Sequence, residues 1–319
     1  MTKNILVTGG CGFIGSNIVR KLVSEGYNTL VIDDLSAGRK EYISDCLKKE
    51  NCTFIKGTIT DLPFLEKQMK NIEAVIHEAA SPDVRASKDN LYSDLDINVL
   101  GTINVLQAMV KNNVSKIIFA SSGGTVYGET DVLPTPEDEP FAPISHYGAS
   151  KAACEHYLSS FSSLYDIEAI SLRYGNIFGP PSNHGVMHDF FWKLKRDPTK
   201  LEILGNGLQI KSYLYVDDCV DANIQSLLTT INGHQAFNIA STEALIVNEI
   251  AQTIIEELGL KDVQLIYTGG ERGWEGDVKK SVVDISKAEK KISWKPKIAV
   301  RDGIRKYIEW LNEKSKIRK

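Results

Sequence analysis

The sequence predicts an α/β protein built on a doubly wound parallel sheet, and two observations support this prediction. Short β-rich runs alternate with longer helical patterns in the first half of the chain, which is typical of parallel strands joined by crossover helices. Several runs, such as Ile5-Leu6-Val7 and Ile117-Ile118-Phe119, are apolar without a gap, as expected where helices cover both sheet faces. The predicted strands are residues 4–8, 29–33, 53–56, 74–77, 116–121 and 169–173.

The alternation loosens after about residue 175. Gly179-Pro180-Pro181 and Gly205-Asn206-Gly207 interrupt it on either side of an aromatic helical pattern near Phe190 and Trp192. A chain of 319 residues also exceeds the size at which one core usually keeps growing. We therefore predict a first lobe of residues 1–175, rejoined by about 212–241, and a smaller, partly discontinuous α/β substrate lobe of 176–211 and 242–319. The predicted return to the first sheet is a strand at 213–216, followed by a helix at 217–228.

Composition excludes several classes of protein. Hydrophobic residues make up 42% and charged residues 24%, the proportions of an ordinary folded globule. The balance of 37 Lys+Arg against 41 Asp+Glu gives a net charge of −4, so no general positive field attracts nucleic acid or anionic lipid. A small-molecule ligand is therefore the expected partner.

Membrane and secretory signals are not found in the sequence. No apolar run approaches the roughly 18 residues of a membrane span. The first apolar run breaks at Thr8-Gly9-Gly10, where a signal peptide would continue apolar. These patterns predict a cytoplasmic protein.

Metal-binding patterns are also missing from the sequence. The five cysteines form no C-x-x-C pair and have no histidine at ligand spacing, which argues against structural zinc and a disulfide framework. We interpret His156, His184 and His188 as ordinary polar residues and predict no metal.

A glycine-rich turn follows the first strand. Gly10-Cys11-Gly12-Phe13-Ile14-Gly15 fits G-x-G-x-x-G between a strand and a helix, the context in which this pattern binds a dinucleotide in the Rossmann fold. Glycines let backbone N–H groups approach a pyrophosphate, and the helix N-terminus adds partial positive charge. Gly9, Gly12 and Gly15 form a second set at three-residue spacing, in which the tight turn starts one residue earlier.

An acidic residue follows at the spacing that ribose recognition requires. Asp33 lies eighteen residues beyond Gly15 at the end of the second strand, where its carboxylate can accept hydrogen bonds from both adenosine ribose hydroxyls. Its negative charge would repel the 2′-phosphate of NADP, which favours NAD as the cofactor. The nearby Arg39 could pair with that phosphate, so NADP stays an alternative.

A tyrosine and a lysine lie one helical turn apart. Tyr147 and Lys151 are at i and i+4, on one face of a predicted helix that runs to about Tyr165. An ammonium group stabilises phenolate, so Lys151 should lower the pKa of Tyr147 below its usual value of about 10 and make it a plausible acid or base. Lys151 can also hold a nicotinamide ribose. Taken alone, this pair is usually structural, because the spacing is common on helix surfaces.

Together these features resemble the extended short-chain dehydrogenase/reductase superfamily. The resemblance spans nearly the whole chain and is closest to the nucleotide-sugar epimerases of the NAD-dependent epimerase/dehydratase family, particularly the archaeal-type UDP-glucose 4-epimerases. The motifs that carry it are residues 8–15, 33–39, 77–80, 121–128, 172–180, 205–213 and 272–277, together with Asn98.

The resemblance implies two sets of contacts. NAD would be bound by Gly9, Gly12, Phe13, Ile14, Gly15, Asp33, Asp34, Leu35, Ser36, Ala37, Gly38, Thr58, Ile59, Ala79, Ala80, Asn98, Ser121, Tyr147, Lys151 and Tyr174. The nucleotide sugar would be bound by Thr125, Tyr147, Asn176, Gly185, Val186, Gln209, Lys211, Tyr213, Arg272 and Asp277.

The resemblance also implies a reaction. Tyr147 as phenolate would remove the proton of the sugar C4 hydroxyl while hydride passes from C4 to NAD, giving a 4-keto sugar. Rotation of that sugar and return of the hydride to its other face would invert C4. UDP-glucose and UDP-galactose are the expected pair, with a UDP-N-acetylhexosamine or UDP-uronate as alternatives. A net NAD-dependent dehydrogenase or reductase is a further alternative, as is a cofactor-sensing regulator, although retention of Tyr147 and Lys151 argues against the regulator.

The sequence departs from the family pattern at four positions. Gly123 occupies the place of the third catalytic Ser or Thr, so Thr125 and Ser122 become the candidates, with Thr125 preferred. Gly123-Gly124 also replaces the Asp-Glu pair of the family's dehydratases, which disfavours elimination. Thr58 replaces an Asp that commonly contacts adenine, and Lys211 replaces an Arg that contacts the diphosphate.

The expected assembly is a homodimer. Helical stretches 95–109 and 147–165 resemble the pair that forms a four-helix dimer contact in this family, although the same apolar spacing suits a buried helix in a monomer.

Overall fold

The computed structural model describes residues 3–81, 84, 88 and 90–317. The strands are β1 (Asn4–Thr8), β2 (Asn28–Asp33), β3 (Cys52–Lys56), β4 (Ala74–His77), β5 (Lys116–Ser122), β6 (Glu168–Tyr174), β7 (Asn176–Phe178), β8 (Lys200–Ile203), β9 (Ile210–Tyr215), β10 (His234–Ile239), β11 (Ala244–Ile246), β12 (Gln264–Tyr267) and β13 (Lys280–Ser281). Seven of them form one parallel sheet in the order β10-β6-β5-β4-β1-β2-β3. This sheet confirms the predicted fold class.

Helices cover both faces of this sheet. The α-helices of the described chain are α1 (Phe13–Ser24), α2 (Leu62–Gln68), α3 (Leu91–Ser93), α4 (Gly101–Lys111), α5 (His146–Tyr165), α6 (Val186–Arg196), α7 (Val216–Leu228), α8 (Val247–Glu257), α9 (Ser286–Ile292) and α10 (Val300–Ile317), with a π-helix (Asp94–Leu100) between α3 and α4. Those on the main sheet include α1 and α7 on one face and α2, α4 and α5 on the other, whereas α6, α8 and α10 pack on strands of the smaller sheets. Side chains alternate along β1, so Ile5 and Val7 pack in the core with α1 and α7, whereas Leu6 packs in the core with α2, α4 and α5. The gapless apolar strands are therefore explained by burial on both faces.

The prediction that a strand at 213–216 returns to the main sheet was wrong. Residues 213–215 belong to β9, which pairs with β7, β11 and β13 in a separate sheet. The chain returns to the main sheet one element later. Helix α7 packs against this sheet, and β10 then pairs with β6 at its edge. The division into lobes stays a prediction, with α7 and β10 as the returning elements.

The two helical stretches predicted to form a dimer contact expose apolar side chains. Leu95 and Leu100 on the π-helix are 46% and 48% exposed, and Leu164 on α5 is 70% exposed. The homodimer itself stays a prediction. Within the described ranges, none of the helices combines the length and apolar character needed to cross a bilayer.

Candidate functional site

The predicted site residues lie at the carboxyl edge of the main sheet. The chain runs from β1 outward to β2 and β3 and then returns to β4 on the other side of β1, so the direction of winding reverses between β1 and β4. Ligands of doubly wound sheets bind outside the carboxyl ends of the strands at such a reversal. Asp33 ends β2, His77 ends β4, Ser122 ends β5 and Tyr174 ends β6, so the topology brings the predicted motifs to one crevice.

The glycine-rich turn is closed by backbone contacts. Gly9 has φ of +68°, and a Cβ atom there would lie 2.6 Å from the Ala79 nitrogen. A Cβ on Gly15 would lie 2.2 Å from the Gly9 oxygen, and the Gly12 N–H donates to that oxygen at 3.0 Å. The turn therefore starts at Gly9, as in the second of the two predicted registers. With α1 beginning at Phe13, its first backbone N–H groups face this turn, which fits a pyrophosphate.

Asp33 is held in place by backbone donors. The Cys11 N–H donates to Oδ2 at 2.9 Å, and the Leu35 N–H donates to Oδ1 at 2.8 Å. Burial raises the pKa of Asp33, whereas these two hydrogen bonds favour its charged form. A carboxylate has about four acceptor sites, so the two remaining sites can take ribose hydroxyls. This arrangement fits the adenosine of a dinucleotide.

The loop after Asp33 wraps around its carboxylate. A Cβ on Gly38 would lie 2.7 Å from Asp33 Oδ1. The Ser36 N–H and hydroxyl both donate to Asp34 Oδ1, at 2.8 and 2.6 Å. Leu35 has φ of +65°, so the chain turns sharply directly after these two aspartates.

The other predicted adenosine contacts follow neighbouring strands. Thr58 is half-buried just after β3, and its hydroxyl pairs with that of Thr60 at 2.9 Å. Ile59 is buried, and Ala79 and Ala80 are half-buried just after β4. These residues stay predicted cofactor contacts.

The structure brings Tyr147 and Lys151 together at the start of α5. Ser145 caps this helix by accepting the Gly148 N–H at 3.1 Å. Lys151 is 2% exposed, and its Nζ donates to the Ala120 oxygen at 2.7 Å. That Nζ lies 5.7 Å from the centre of the Tyr147 ring.

The predicted lowering of the Tyr147 pKa was wrong for the chain alone. Burial raises the pKa of Tyr147, and the negative charges of Asp94 and Glu78 raise it further. Burial also lowers the pKa of Lys151, which weakens its ability to stabilise a phenolate. The phenolate of Tyr147 is therefore disfavoured in the chain by itself, and positive charge placed in the crevice would favour it.

Two hydroxyls were predicted as alternatives for the third catalytic group. Thr125 Oγ1 is buried and has no hydrogen-bond partner among the described residues. Its carbonyl oxygen lies 2.7 Å from where a Gly148 Cβ would be, so Thr125 packs beside the first turn of α5 and Tyr147. Ser122 is half-buried at the end of β5. The unpaired hydroxyl of Thr125 supports the preference for that residue.

Asn98 joins the π-helix to its neighbours. Its Oδ1 accepts the Ser81 N–H at 2.7 Å, and its Nδ2 donates to Ser150 Oγ at 2.9 Å. Asn98 therefore links the segment after β4 to α5. The hydroxyl of Ser121 donates to Glu155, and its predicted contact with the cofactor stays a prediction.

Cations and carboxylates meet around Lys211 on β9. Lys211 Nζ pairs with the side-chain Oδ1 of Asp277, and Arg272 Nη1 donates to the backbone carbonyl oxygen of Asp277 at 2.7 Å. Arg272 also pairs with Glu129, with 2.8 Å between Nη2 and Oε1. Burial, together with the charge of Asp277, raises the pKa of Tyr213. Four predicted substrate residues therefore form one cluster.

The remaining predicted substrate residues lie on β7, directly before β9 and at the start of α6. Asn176 on β7 lies opposite Tyr213 on β9. Gln209 is buried, and its Oε1 has no partner in the part of the chain that the structure describes. Gly185 and Val186 lie at the start of α6, where Gly185 has φ of +93°.

Sequence reasoning missed three acidic residues of this region. Glu78 accepts a hydrogen bond from Tyr174, Glu129 pairs with Arg272, and Glu155 pairs with Arg173. Glu78 lies inside the quoted His77-Glu78-Ala79-Ala80 motif, and Glu155 lies one turn beyond Lys151, so both had a local signal. Glu129 had none.

Two of the histidines interpreted as ordinary polar residues, His156 and His188, contact aromatic side chains. The His156 ring lies 5.6 Å from that of Phe141, and His188 Nε2 accepts the Trp192 Nε1–H at 2.9 Å. Over the described residues, no three His, Cys, Asp or Glu side chains are grouped so that they could hold a metal ion.

Comparisons with known proteins agree on one family. Residues 5–240 match the model of the NAD dependent epimerase/dehydratase family. The chain is 39% identical over 317 residues to a candidate UDP-glucose 4-epimerase of Methanocaldococcus jannaschii, covering 98% of this chain and 99% of that protein. The crystal structure of the Thermotoga maritima UDP-glucose 4-epimerase with UDP-glucose is similar with a TM-score of 0.90 and 35% identity, over 98% of this chain and 99% of that one. A UDP-N-acetylglucosamine 4-epimerase from Methanobrevibacter ruminantium, in complex with UDP-N-acetylmuramic acid, has a TM-score of 0.89 and 34% identity over the same shares.

Proposed function

Because the chain belongs to the NAD dependent epimerase/dehydratase family, we propose that it inverts C4 of a UDP-hexose, with UDP-glucose and UDP-galactose as its substrate pair. The observation that carries this proposal is the convergence of Tyr147, Lys151 and the unpaired hydroxyl of Thr125 at one crevice. Relatives that act on UDP-glucose match this chain over nearly its full length, which supports the choice of sugar.

NAD would be held by the turn from Gly9 to Gly15 and by Asp33, and when bound it supplies a reversible acceptor for the hydride of the sugar C4. Tyr147 then takes the proton of the C4 hydroxyl and later returns it. Lys151, fixed by the Ala120 oxygen, offers positive charge next to Tyr147. Thr125 donates its free hydroxyl proton to the sugar oxygen, which stabilises the charge that develops there.

The diphosphate would bind in the second lobe. Lys211 and Arg272 would supply two positive charges to the diphosphate from one cluster. An Arg guanidinium can bind phosphate oxygens in a bidentate manner. Lys211 offers a single point charge, so Arg272 carries more of the orientation.

The turn after β5 favours epimerisation over dehydration. A Cβ on Gly123 would lie 2.9 Å from the Arg173 oxygen, so an acidic side chain does not fit there without backbone movement. Elimination needs an acid and a base at the sugar carbons beyond C4, and Gly123-Gly124 supplies neither. A cycle that removes and returns one hydride needs no further acid or base.

The proposal is tested with the purified protein and a panel of UDP-galactose, UDP-N-acetylgalactosamine, UDP-glucuronate and GDP-sugars, followed by NMR of the sugar carbons. We expect UDP-galactose and UDP-glucose to interconvert without consumption of NAD. Faster inversion of UDP-N-acetylgalactosamine would assign the N-acetylhexosamine, as the relative from Methanobrevibacter ruminantium suggests. Consumption of one NAD for each sugar would instead identify a net dehydrogenase.

A further inference from the structure

Glu78 carries a carboxylate that the proposed proton transfer does not use. It directly follows β4, and a Cβ on Gly9 would lie 2.8 Å from its carbonyl carbon, so it borders the glycine turn. Its Oε1 accepts the Tyr174 hydroxyl proton at 2.8 Å. The same Tyr174 oxygen accepts from Asn223 Nδ2 at 2.8 Å, and Asn223 is fully buried. The position of the carboxylate is therefore fixed from β6 and α7.

This carboxylate has no ion-pair partner among the described residues. Lys151 on α5 is the cation that acts on it electrostatically, but the Lys151 Nζ hydrogen-bonds to the Ala120 oxygen. Glu78 in turn raises the pKa of Tyr147. Burial raises the pKa of Glu78 to about 7. Above about pH 7, where Glu78 is ionised, it therefore adds to the crevice a negative charge that Lys151 offsets only in part.

The fold places this charge on the side of the crevice where Tyr147 and Lys151 lie. Under the proposed function, Asp33 at the end of β2 would hold the adenosine ribose, and the turn from Gly9 to Gly15 after β1 would hold the pyrophosphate. The other half of the dinucleotide would then be held toward Tyr147 and Lys151, past the ends of β4 and β5. Glu78 lies at the end of β4, on this second half, which is the one that carries the nicotinamide.

We propose that Glu78 is the counter-charge of the oxidised nicotinamide and keeps the bound cofactor oxidised between turnovers. The inference rests on the proposed function for the placement of the nicotinamide beside Tyr147. Transfer of hydride from the sugar C4 to NAD, with the hydroxyl proton going to Tyr147, would remove the positive charge that Glu78 faces, while the ionised Glu78 would keep its negative charge. The loss of this attraction would favour return of the hydride to the keto sugar.

The test compares the affinities of NAD and NADH without any sugar. Protein loaded with NAD is titrated with NADH at about pH 8.5, above the pKa of about 7, so that Glu78 is charged. Fluorescence of the bound reduced nicotinamide reports the exchange. We expect Glu78→Gln, whose amide still accepts the Tyr174 hydrogen bond, to raise the preference for NADH roughly tenfold, the effect of one unit charge in a partly buried site.

Two further variants separate charge from shape. Glu78→Asp keeps the charge and should keep the wild-type preference within about twofold. Glu168→Gln removes a carboxylate at the opposite end of β6, where it pairs with Lys116, and should leave the preference unchanged. An unchanged preference in Glu78→Gln would overturn the inference, and so would an equal shift in Glu78→Asp. Because no sugar is present, a protein that fails to epimerise UDP-sugars would refute the proposed function without affecting this measurement.

Discussion

Arg173 and Glu155 form a bidentate ion pair beneath the candidate site. Arg173 Nε lies 3.0 Å from Glu155 Oε1, and Nη2 lies 2.8 Å from Oε2. The two side chains are only 6% and 2% exposed. Arg173 Nη1 also donates to the Tyr127 hydroxyl at 2.7 Å. The pair connects α5, which carries Tyr147 and Lys151, to the strand that ends at Tyr174.

Loss of this pair should destabilise the whole protein. Glu155→Gln leaves a buried guanidinium without its counter-charge, so we expect the free energy of unfolding in urea to fall by about 3–5 kcal/mol. The matched control is Glu257→Gln, which breaks the exposed pair with Arg305 and should cost less than about 1 kcal/mol. Equal losses in the two variants would show that the buried pair contributes no more than a surface one.

Tyr147→Phe tests the proposed acid and base. Removal of the hydroxyl should lower turnover of the UDP-sugar by about 10²- to 10⁴-fold, the usual contribution of a positioned proton donor. The ring and its contact with Lys151 are kept, so bound NAD should be retained, as measured by nucleotide release on denaturation. A variant with wild-type turnover would exclude Tyr147 from proton transfer.

Paired alanine variants test the third hydroxyl. We expect Thr125→Ala to lower kcat about 10- to 100-fold, because a hydrogen bond to a charged group contributes about 1.5–3 kcal/mol. Ser122→Ala should lower kcat less than about threefold, since such a loss corresponds to less than 1 kcal/mol. The opposite ranking in steady-state kinetics would transfer the role to Ser122.

Asp33→Asn tests the ribose contact. The loss of a charged acceptor should weaken NAD binding about 10- to 100-fold in calorimetric titration. It should also reduce discrimination against NADP, because the repulsion of the 2′-phosphate is removed. Asp45→Asn is the matched control, since this exposed carboxylate pairs with Arg20 at 3.4 Å. If the control weakened NAD binding as much as Asp33→Asn, general charge rather than ribose contact would explain the loss.

His77 should make stability depend on pH. It is fully buried between Thr8 Oγ1 at 2.6 Å and Thr102 Oγ1 at 3.0 Å, and burial lowers its pKa to about 3. The unfolded chain binds a proton below about pH 6.5 while the folded chain does not, so this contribution is full above pH 6.5 and lost as pH falls toward 3. Between pH 7 and 5, wild type should lose about 2 kcal/mol more than His77→Gln in urea unfolding. Parallel losses would indicate that His77 is protonated in the folded state.

The central strands could be predicted from sequence because their signals are local. Apolar runs such as Ile5-Leu6-Val7 and the glycine turn that follows them are complete within a short stretch of chain. β10 gives a weaker signal because it begins with His234 and Gln235, and its place is decided by pairing with β6 more than 60 residues earlier. The assignment of β9 to a second sheet likewise depends on partners that are distant in sequence.

The spacing of the candidate site residues can be seen in the sequence, but their electrostatic surroundings cannot. The spacing of Tyr147 and Lys151 is local, but the burial and the acidic neighbours that raise the Tyr147 pKa come from other elements. Glu78 contacts Tyr174 across 96 residues, so no local pattern shows that contact. The preference for Thr125 over Ser122 stays a prediction, and the support it gains from the burial of one hydroxyl depends on packing that the sequence does not show.

The cation cluster of the second lobe carries its own anions. Lys211 is paired with Asp277, and Arg272 with Glu129, before any ligand arrives. An incoming anion must therefore compete with tethered carboxylates that never diffuse away. We expect a lone inorganic phosphate or chloride, which contacts one cation at a time, to compete poorly with them, whereas the diphosphate of the proposed nucleotide sugar would displace both carboxylates in one event. Under the proposed function, the two ion pairs would select a diphosphate over small anions.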